Sequence, residues 1–559
     1  MHHRINRRGV LRALLAISGA GLLTACGSQA PAAAPTSGPP PTPKPISPQA
    51  PAASPAASPG ASPAASPAAA APAQKPAAAA EPVRGGSLTL LRTAEHRGFN
   101  PAHLDAGGIP LHRALYNTLL RYDDTLNVVP ELAEKYDLAA DGKSIKLELR
   151  KGVKFHSGRD LTADDVDFSV KFFQDEKNGA PIRGQALLIK QVEKPDQSTV
   201  ILRFDQPNTS VFDVLDAMFI VDQSMADKIP QTDAGSGPFK VADFRPGELS
   251  RMTPFEGYWE RGKPYLGEYI VKPAPDAQQM VVQLETGRAD VVWIPSYQDL
   301  ERLSKDSKFQ VGGGAPGGVF WDIAVNTTSP DLTDKRVRQA ISYVLDRERY
   351  ARTAMRGFAE PTSLPFPKTS WAYFPDLEGK HKRDVEKAKQ LMAEAGKANG
   401  FEVKILASSK RTPGQNELAQ MLQANLEEIK IRSKIEDVEV AVYETRSRIS
   451  DWDLMVHSYG RANKDPQSLF TGAIAWYPKG SWTKFDNAEY TKLVADAGSI
   501  VDREQRKPIY RKLVELALDQ CFTIPVCEAP RPFVLSSKVK NLRVTLDNVP
   551  FAGDAWVEK

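Results

Sequence analysis

From residue 83 onward the spacing of apolar residues switches repeatedly between a two-residue and a three-to-four-residue repeat, the signatures of strands and helices. SIKLELRKGVKF (144–155) alternates, with Ile145, Leu147 and Leu149 on one side, and predicts a strand. So do the stretch from 85 into GFNP, STVILRF (198–204), VFWDIAVNTT (319–328), FEVKILAS, DWDLMVHSYG and CFTIPVCEAP. GSGPFKV (235–241) reads as a glycine-proline turn entering a strand. The helical repeat predicts a helix over 112–123, where Ala114, Leu115, Thr118 and Leu119 share a face. A second, over LTADDVDFSVKFF, opens at Thr162 with Asp165 three residues on, a capping-box arrangement. Its neighbouring acids Asp164 and Asp165 suit a helix start better than a metal. DAQQMVVQLETG places Met280, Val281 and Leu284 inward and ends at Gly287, and DKRVRQAISYVLDRERY keeps Val337, Ile341, Val344 and Leu345 in register. Four more helices are predicted over DVEKAKQLMAEAG, NELAQMLQANLEEI, NAEYTKLVADAGSI and REQRKPIYRKLVELAL. Strands and helices interleave in two batches, before and after about Asn326, so the fold class is α/β with two lobes.

Ahead of this body the pattern is different. Arg4, Arg7, Arg8 and Arg12 precede a short apolar run over 11–25. That run is below the roughly 20 residues a membrane-spanning helix needs, and its basic start and small-residue end describe an export signal. It ends Leu23-Thr24-Ala25-Cys26, which resembles the lipobox at which bacterial lipoproteins are lipidated on cysteine and cleaved just before it. NRRGVLR (6–12) resembles a twin-arginine signal, with valine where phenylalanine is usual. Residues 1–25 are therefore expected to be a signal peptide, and 26–82 a lipidated Cys26 followed by a disordered linker. Sixteen residues of that linker are proline and almost none is large and apolar, so it cannot offset its ordering entropy. Extended at about 3.1 Å per residue, it reaches on the order of 100 Å or more from the lipid.

Charge and cysteine content narrow the body further. The formal net charge of +4 resides in the four leader arginines, and the remainder is close to neutral. A neutral surface of mixed sign gives no reason to expect nucleic acid. Cys521 and Cys527 lie six positions apart in a predicted strand, which separates their Cα atoms by roughly 20 Å. A disulfide needs less than about 7 Å, so two buried free thiols are expected. No G-x-S-x-G elbow or H-E-x-x-H pair occurs, and DGKS lacks the upstream glycine of a phosphate loop. The chain is read as a non-enzyme, with a surface lipoprotein hydrolase as the distant alternative. No cofactor is expected.

The order of segments is informative as a set. LYNTLLRYDDTLNVVPELAEKYDLAADGKSIKLELRKGVKFHSGRDLTADDVDFSVKFF is followed by GSGPF, AQQMVVQLETGRADVV, VNTTSPDLTDKRVRQAISYVLDRERY, GFAEPTSLPFP and YGRANKDPQSLF. Together they resemble family 5 extracytoplasmic solute-binding proteins, the peptide/nickel-type receptors of ABC importers, over nearly all of 83–559. The resemblance implies a two-lobed periplasmic-binding-protein fold (type II, cluster C) with an extra inserted domain. It implies a first domain from 83–116, 235–323 and 529–559, a second from 117–234 and a third from 324–528. It further implies hinge closure on a peptide or similarly sized organic solute, delivery to an ABC permease and ATPase, and lipid anchoring to the outer face of the cell membrane. Nickel or metal-chelate binding, another non-peptide anionic solute, and ligand sensing without transport are the alternatives.

Peptide-binding members carry an aspartate a few residues before an Asp-Pro or Glu-Pro of the third domain, where it pairs with the free amine of the ligand. Counting back three from Asp465 of Asp465-Pro466 gives Ala462, with Arg461 beside it, so the expected carboxylate is absent. Arg461 suits a carboxylate or phosphate. Aromatic residues commonly line such clefts, so Trp321, Trp371, Trp476 and Tyr459 are expected ligand contacts, with Phe99 and Asn100 of GFNP from the first domain. His457, beside this segment, is the single candidate metal ligand; no other metal ligand is expected.

Overall fold

The computed structural model describes residues 81–92, 98–103, 109–123, 127–229, 231–274, 276–313, 319–460, 464–529, 532–545 and 549–559. Alternation of side chains decides the strands: in Ser144–Leu149, Ile145, Leu147 and Leu149 are buried while Lys146 faces solvent. That strand sits in a four-stranded sheet in the order Ala133–Leu138, Ser144–Leu149, Thr199–Phe204, Ile189–Asp196.

Two larger sheets carry the rest. The seven-stranded sheet runs Phe309–Gly313, Pro532–Ser536, Val291–Trp293, Ser87–Arg92, Glu268–Pro273, Leu249–Pro254, Phe239–Arg245. Its first strand in sequence, Ser87–Arg92, is parallel to both neighbours. The six-stranded sheet runs Glu360–Pro361, Thr523–Ala529, Val319–Val325, Leu454–Tyr459, Glu402–Ala407, Arg432–Asp437. Among these strands the chain passes from one large sheet to the other twice, between Gly313 and Val319 and between Ala529 and Pro532. Val319–Val325 lies wholly in the second sheet, so the expected border between 323 and 324 cuts a strand.

One apolar core fills the first sheet and the four-stranded insertion, including Phe99, Leu147 and Trp293. A second spans the two large sheets, with Val292, Tyr297, Trp321 and Ile341. A third covers the other face of the second sheet, with Phe320, Tyr459, Trp476 and Tyr510. Phe320 and Trp321 are consecutive on one strand and so fall on opposite faces.

Two predicted helices differ from the structure for identifiable reasons. The helix over 112–123 is confined to Ile109–Leu115, and Leu120–Tyr122 forms a strand paired with Val128–Pro130. Glu131 accepts hydrogen bonds from the Thr118 amide at 2.8 Å and Asn117 Nδ2 at 3.0 Å, and the Leu115 carbonyl accepts from Gly237 N at 2.9 Å. These remote partners satisfy the groups that would have continued the helix. The approach at Leu115 requires glycine, since a Cβ on Gly235 would lie 1.9 Å from its carbonyl oxygen. The helix predicted from 334 breaks into Lys335–Val344 and Arg347–Thr353, because Asp346 caps a new start by accepting from Arg349 N at 2.9 Å.

Pro525 lies inside a strand paired on both sides, opposite Asp322, where the register shifts between Trp321 and Asp322. The shift accommodates the missing donor of proline. Cys521 and Cys527 are buried and free, but they do not share the predicted strand: the strand is Thr523–Ala529, and Cys521 ends the helix Arg503–Gln520 in a left-handed conformation.

Candidate functional site

The strand Leu454–Tyr459 leads through Gly460 towards Lys464, Asp465 and the helix Gln467–Gly472. Asp465 is held from the helix side. Its carboxylate accepts from both terminal nitrogens of Arg506, at 2.8 and 2.5 Å, and from Gln467 N at 2.9 Å. Arg506 is only 2 % exposed, with its guanidinium 5.1 Å from the centre of the Trp371 ring and 5.3 Å from that of Tyr510. Burial lowers the Arg506 pKa, but the bonds to Asp465 outweigh it and hold the guanidinium charged.

Lys464 points elsewhere. Its Nζ lies 2.9 Å from Oδ2 of Asp216, both side chains under 10 % exposed. The Tyr122 ring centre is 5.9 Å from the same ammonium. Asp216 belongs to the helix Val211–Ala217, packed against the strand Leu120–Tyr122. Asp216 Oδ1 accepts from Tyr122 N at 3.2 Å, and Arg113 reaches Oδ2 at 3.4 Å. One turn earlier on that helix, Asp213 accepts from the Tyr122 hydroxyl at 2.6 Å, and its other oxygen has no hydrogen-bond partner. Burial pushes the Asp213 carboxyl up to about 7, against the pull of Lys464 and with the push of Asp465. Gln185 Nε2 meets Thr471 Oγ1 at 3.4 Å, a second polar contact between these same two parts of the chain.

Beside this seam opens a cavity of about 620 Å³, part of it continuous with solvent, lined among others by Arg113, Arg121, Tyr122, Asp216, Lys263 and Arg543. A smaller one, about 240 Å³, lies against Ser363, His381, Trp476, Cys521 and Thr523, on the third core.

The sequence pattern of the bacterial extracellular solute-binding proteins, family 5 (middle region), matches residues 127–480, more than half of the chain. The chain belongs to that family. This family 5 protein is 29 % identical over 495 residues to a probable di/tripeptide-binding protein 5 of Pseudomonas aeruginosa, covering 82 % of this chain and 93 % of the relative. It is 27 % identical over 498 residues to heme-binding protein A of Haemophilus influenzae, covering 82 % and 89 %. The solved structure of the binding protein AgaA from A. tumefaciens R10, in complex with agropinic acid, superimposes with a TM-score of 0.75 at 26 % identity, covering 85 % of this chain and 99 % of that one.

Against this frame the expected contacts of the family 5 protein divide. Tyr459, Trp476 and Trp371 come together in and around the third core. Tyr459 is stacked on Phe320 at 5.3 Å and lies 5.8 Å from Trp476, and Trp371 meets Tyr510 at 5.2 Å. Trp476 is 1 % exposed and Tyr459 is buried with its hydroxyl on the Pro365 carbonyl at 3.2 Å. Both are packed as core, and only Trp371 is half-buried. Trp321 is correspondingly not with them: it is buried on the opposite face of its sheet, in the second core. Phe99 is fully buried edge-on to Phe244, and Asn100 caps its own turn by accepting from Ala102 N at 2.9 Å. His457 bonds to Asp322 at 2.9 Å, and no cluster of three or more His, Cys, Asp or Glu suited to a metal occurs among the described residues. Arg461 and Cys26 lie outside the described residues.

Lys464, Asp216, Asp213 and Arg506 were not candidates. The dipeptide Lys464-Asp465 before Pro466 was the visible signal, but nothing in the sequence names a partner 248 positions away.

Proposed function

We propose that the chain is the extracytoplasmic receptor of an ABC importer, held to the outer face of the membrane by a lipid on Cys26, capturing a peptide or similarly sized organic solute for delivery to a permease. The observation that carries this reading is the arrangement of two α/β sheets joined by two crossings, in a chain whose relatives match it over most of their length. Two lobes joined in this way can close on one another, and a ligand touching both biases that equilibrium. No bond has to be broken.

The ligand class is read from the sequence before Asp465. Ala462 stands where peptide-binding members carry an amine-pairing carboxylate, so recognition of a free amine through that residue is lost. Arg461 beside it meets an anionic group of the solute instead. Relatives named for a di/tripeptide and for heme, and one solved with agropinic acid, share similar identity with the chain. Specificity in this fold therefore rests on few side chains rather than on architecture.

The test is native mass spectrometry of whatever small molecule stays with the purified chain, followed by titration of that molecule into the Arg461→Ala variant. Co-purification of a peptide or carboxylate-bearing solute, with affinity lowered in the variant, supports the reading. Unchanged affinity removes Arg461 from the site, and product formation from the bound molecule would replace the receptor with an enzyme.

A further inference from the structure

The ammonium of Lys464 occupies a receptor built from another part of the chain. Asp213 and Asp216 lie three positions apart on Val211–Ala217 and so share a helix face. Asp216 contacts the ammonium at 2.9 Å, Tyr122 offers its ring face at 5.9 Å, and Asp213 adds a second carboxylate with one unpartnered, buried oxygen. Carboxylate plus aromatic face is the chemistry that binds a primary ammonium. The two sides belong to different bodies: Val211–Ala217 packs with the first core, whereas Lys464 follows the central strand of the second sheet.

We propose that Lys464 is an intramolecular latch, a tethered ammonium that fastens the 324–528 part onto the 117–234 part when the lobes close. The latch does not depend on which solute is captured, so it stands or falls separately from the ligand reading.

The energetics are asymmetric. When the lobes part, the Lys464–Asp216 contact is exchanged for hydration of the two ions, and the pair itself nets little. Removing the lysine alone takes away the cation that Asp216 meets across the lobes and leaves it with Arg113 at 3.4 Å and the Tyr122 amide at 3.2 Å, both from its own side, so the loss falls on the closed arrangement. Lys464→Ala therefore acts on closure rather than on either lobe.

The experiment places spin labels at Gln197→Cys and Lys479→Cys, both exposed, in the full chain, and reads the distance between them by double electron–electron resonance without added ligand. Cys26 is replaced by serine, and Cys521 and Cys527 are buried and take no label. Lys464→Ala is expected to lower the ratio of short-distance to long-distance populations about ten-fold, the scale of losing one hydrogen bond to a charged group whose other partners remain. Lys464→Arg, which keeps the charge, should retain most of the short-distance population and serves if the alanine variant folds poorly. Ethylammonium chloride should restore that population in Lys464→Ala, and sodium chloride at the same ionic strength should not. Equal distance distributions for the parent and folded Lys464→Ala overturn the proposal, as does equal restoration by the two salts, which would make the effect one of general screening.

Discussion

Arg506 grips Asp465 through both terminal nitrogens, while the adjacent Lys464 reaches Asp216 at 2.9 Å. Aromatic rings of Trp371 and Tyr510 close over the guanidinium, so neither ion is hydrated as it would be at a surface. Replacing Arg506 with methionine leaves the Asp465 carboxylate with a single amide donor from Gln467. Breaking a buried pair in this way costs about 3–5 kcal/mol, which urea denaturation of the variant should report. Lysine at this position restores the charge but not the fork, and is expected to recover only part of the loss. A loss below about 1 kcal/mol, as at exposed pairs, would show that the fork carries no structural weight.

Asp213 gives the stability a pH dependence of known sign. Its folded-state pKa is raised, chiefly by burial, up to about 7, whereas an unfolded aspartate titrates near about 3.9. Between these values the folded protein holds a proton that the unfolded chain has released. Stability from this residue is therefore greatest at low pH, falls as pH rises from about 4 to about 7, and levels off above. The full excursion is on the order of 2–4 kcal/mol. Asp213→Asn keeps an acceptor for the Tyr122 hydroxyl and abolishes the titration. The variant should be more stable than the parent at about pH 8, and the two should converge at acid pH. Parallel pH profiles for both proteins would assign the dependence elsewhere.

Legibility differed between elements for physical reasons. Strands such as Ser144–Leu149 and Thr199–Phe204 were visible because a half-buried sheet imposes a period of two on the chain itself. The early stop after Leu115 was not, because the groups that end the helix come from Glu131 and Gly237. Asp346 was the visible sign of the break before Arg347, masked by an apolar register that runs through Leu345. In the site, tryptophan has the same sequence signature in a core as in a cleft, so Trp321 and Trp476 could not be separated from Trp371. The Lys464–Asp216 contact joins distant segments through the fold alone.

Cys521 and His381 form a pair that resembles a nucleophile and its base, with Sγ 3.7 Å from Nδ1. The environment opposes that chemistry. Burial pushes the thiol up to about 12, and burial reinforced by Arg347 pushes the imidazole down to about 4. A thiolate–imidazolium pair requires shifts of the opposite sign. Cys527 is fully buried and also raised by burial. Native protein at about pH 8 should therefore leave both thiols unmodified by a thiol-specific disulfide reagent, and denatured protein should expose both. Reductant should leave the melting temperature unchanged, since neither cysteine is bridged. Rapid modification of one thiol in the native state would place Cys521 or Cys527 at an open surface.

Trp476 separates packing from recognition most directly. Its indole lies edge-on to Phe522 at 5.3 Å and to Tyr459 at 5.8 Å, and its carbonyl accepts from the Tyr490 hydroxyl at 2.7 Å. Truncation to alanine empties the centre of this cluster and is expected to cost about 3–5 kcal/mol. The indole nitrogen itself has no hydrogen-bond partner, nor has the neighbouring Thr523 hydroxyl across the small cavity. Phenylalanine therefore keeps most of the packing while removing an unsatisfied donor, and should cost less than about 1.5 kcal/mol. Trp371 is half-buried and contributes chiefly through Arg506, so its alanine variant should lose about 0.5–2 kcal/mol. Thermal and urea unfolding of the three variants, set beside their affinity for the co-purified solute, gives the readout. The order Trp476→Ala, Trp371→Ala, Trp476→Phe in lost stability marks Trp476 as a core residue. A large fall in affinity for Trp476→Phe at unchanged stability would instead move the indole to the ligand.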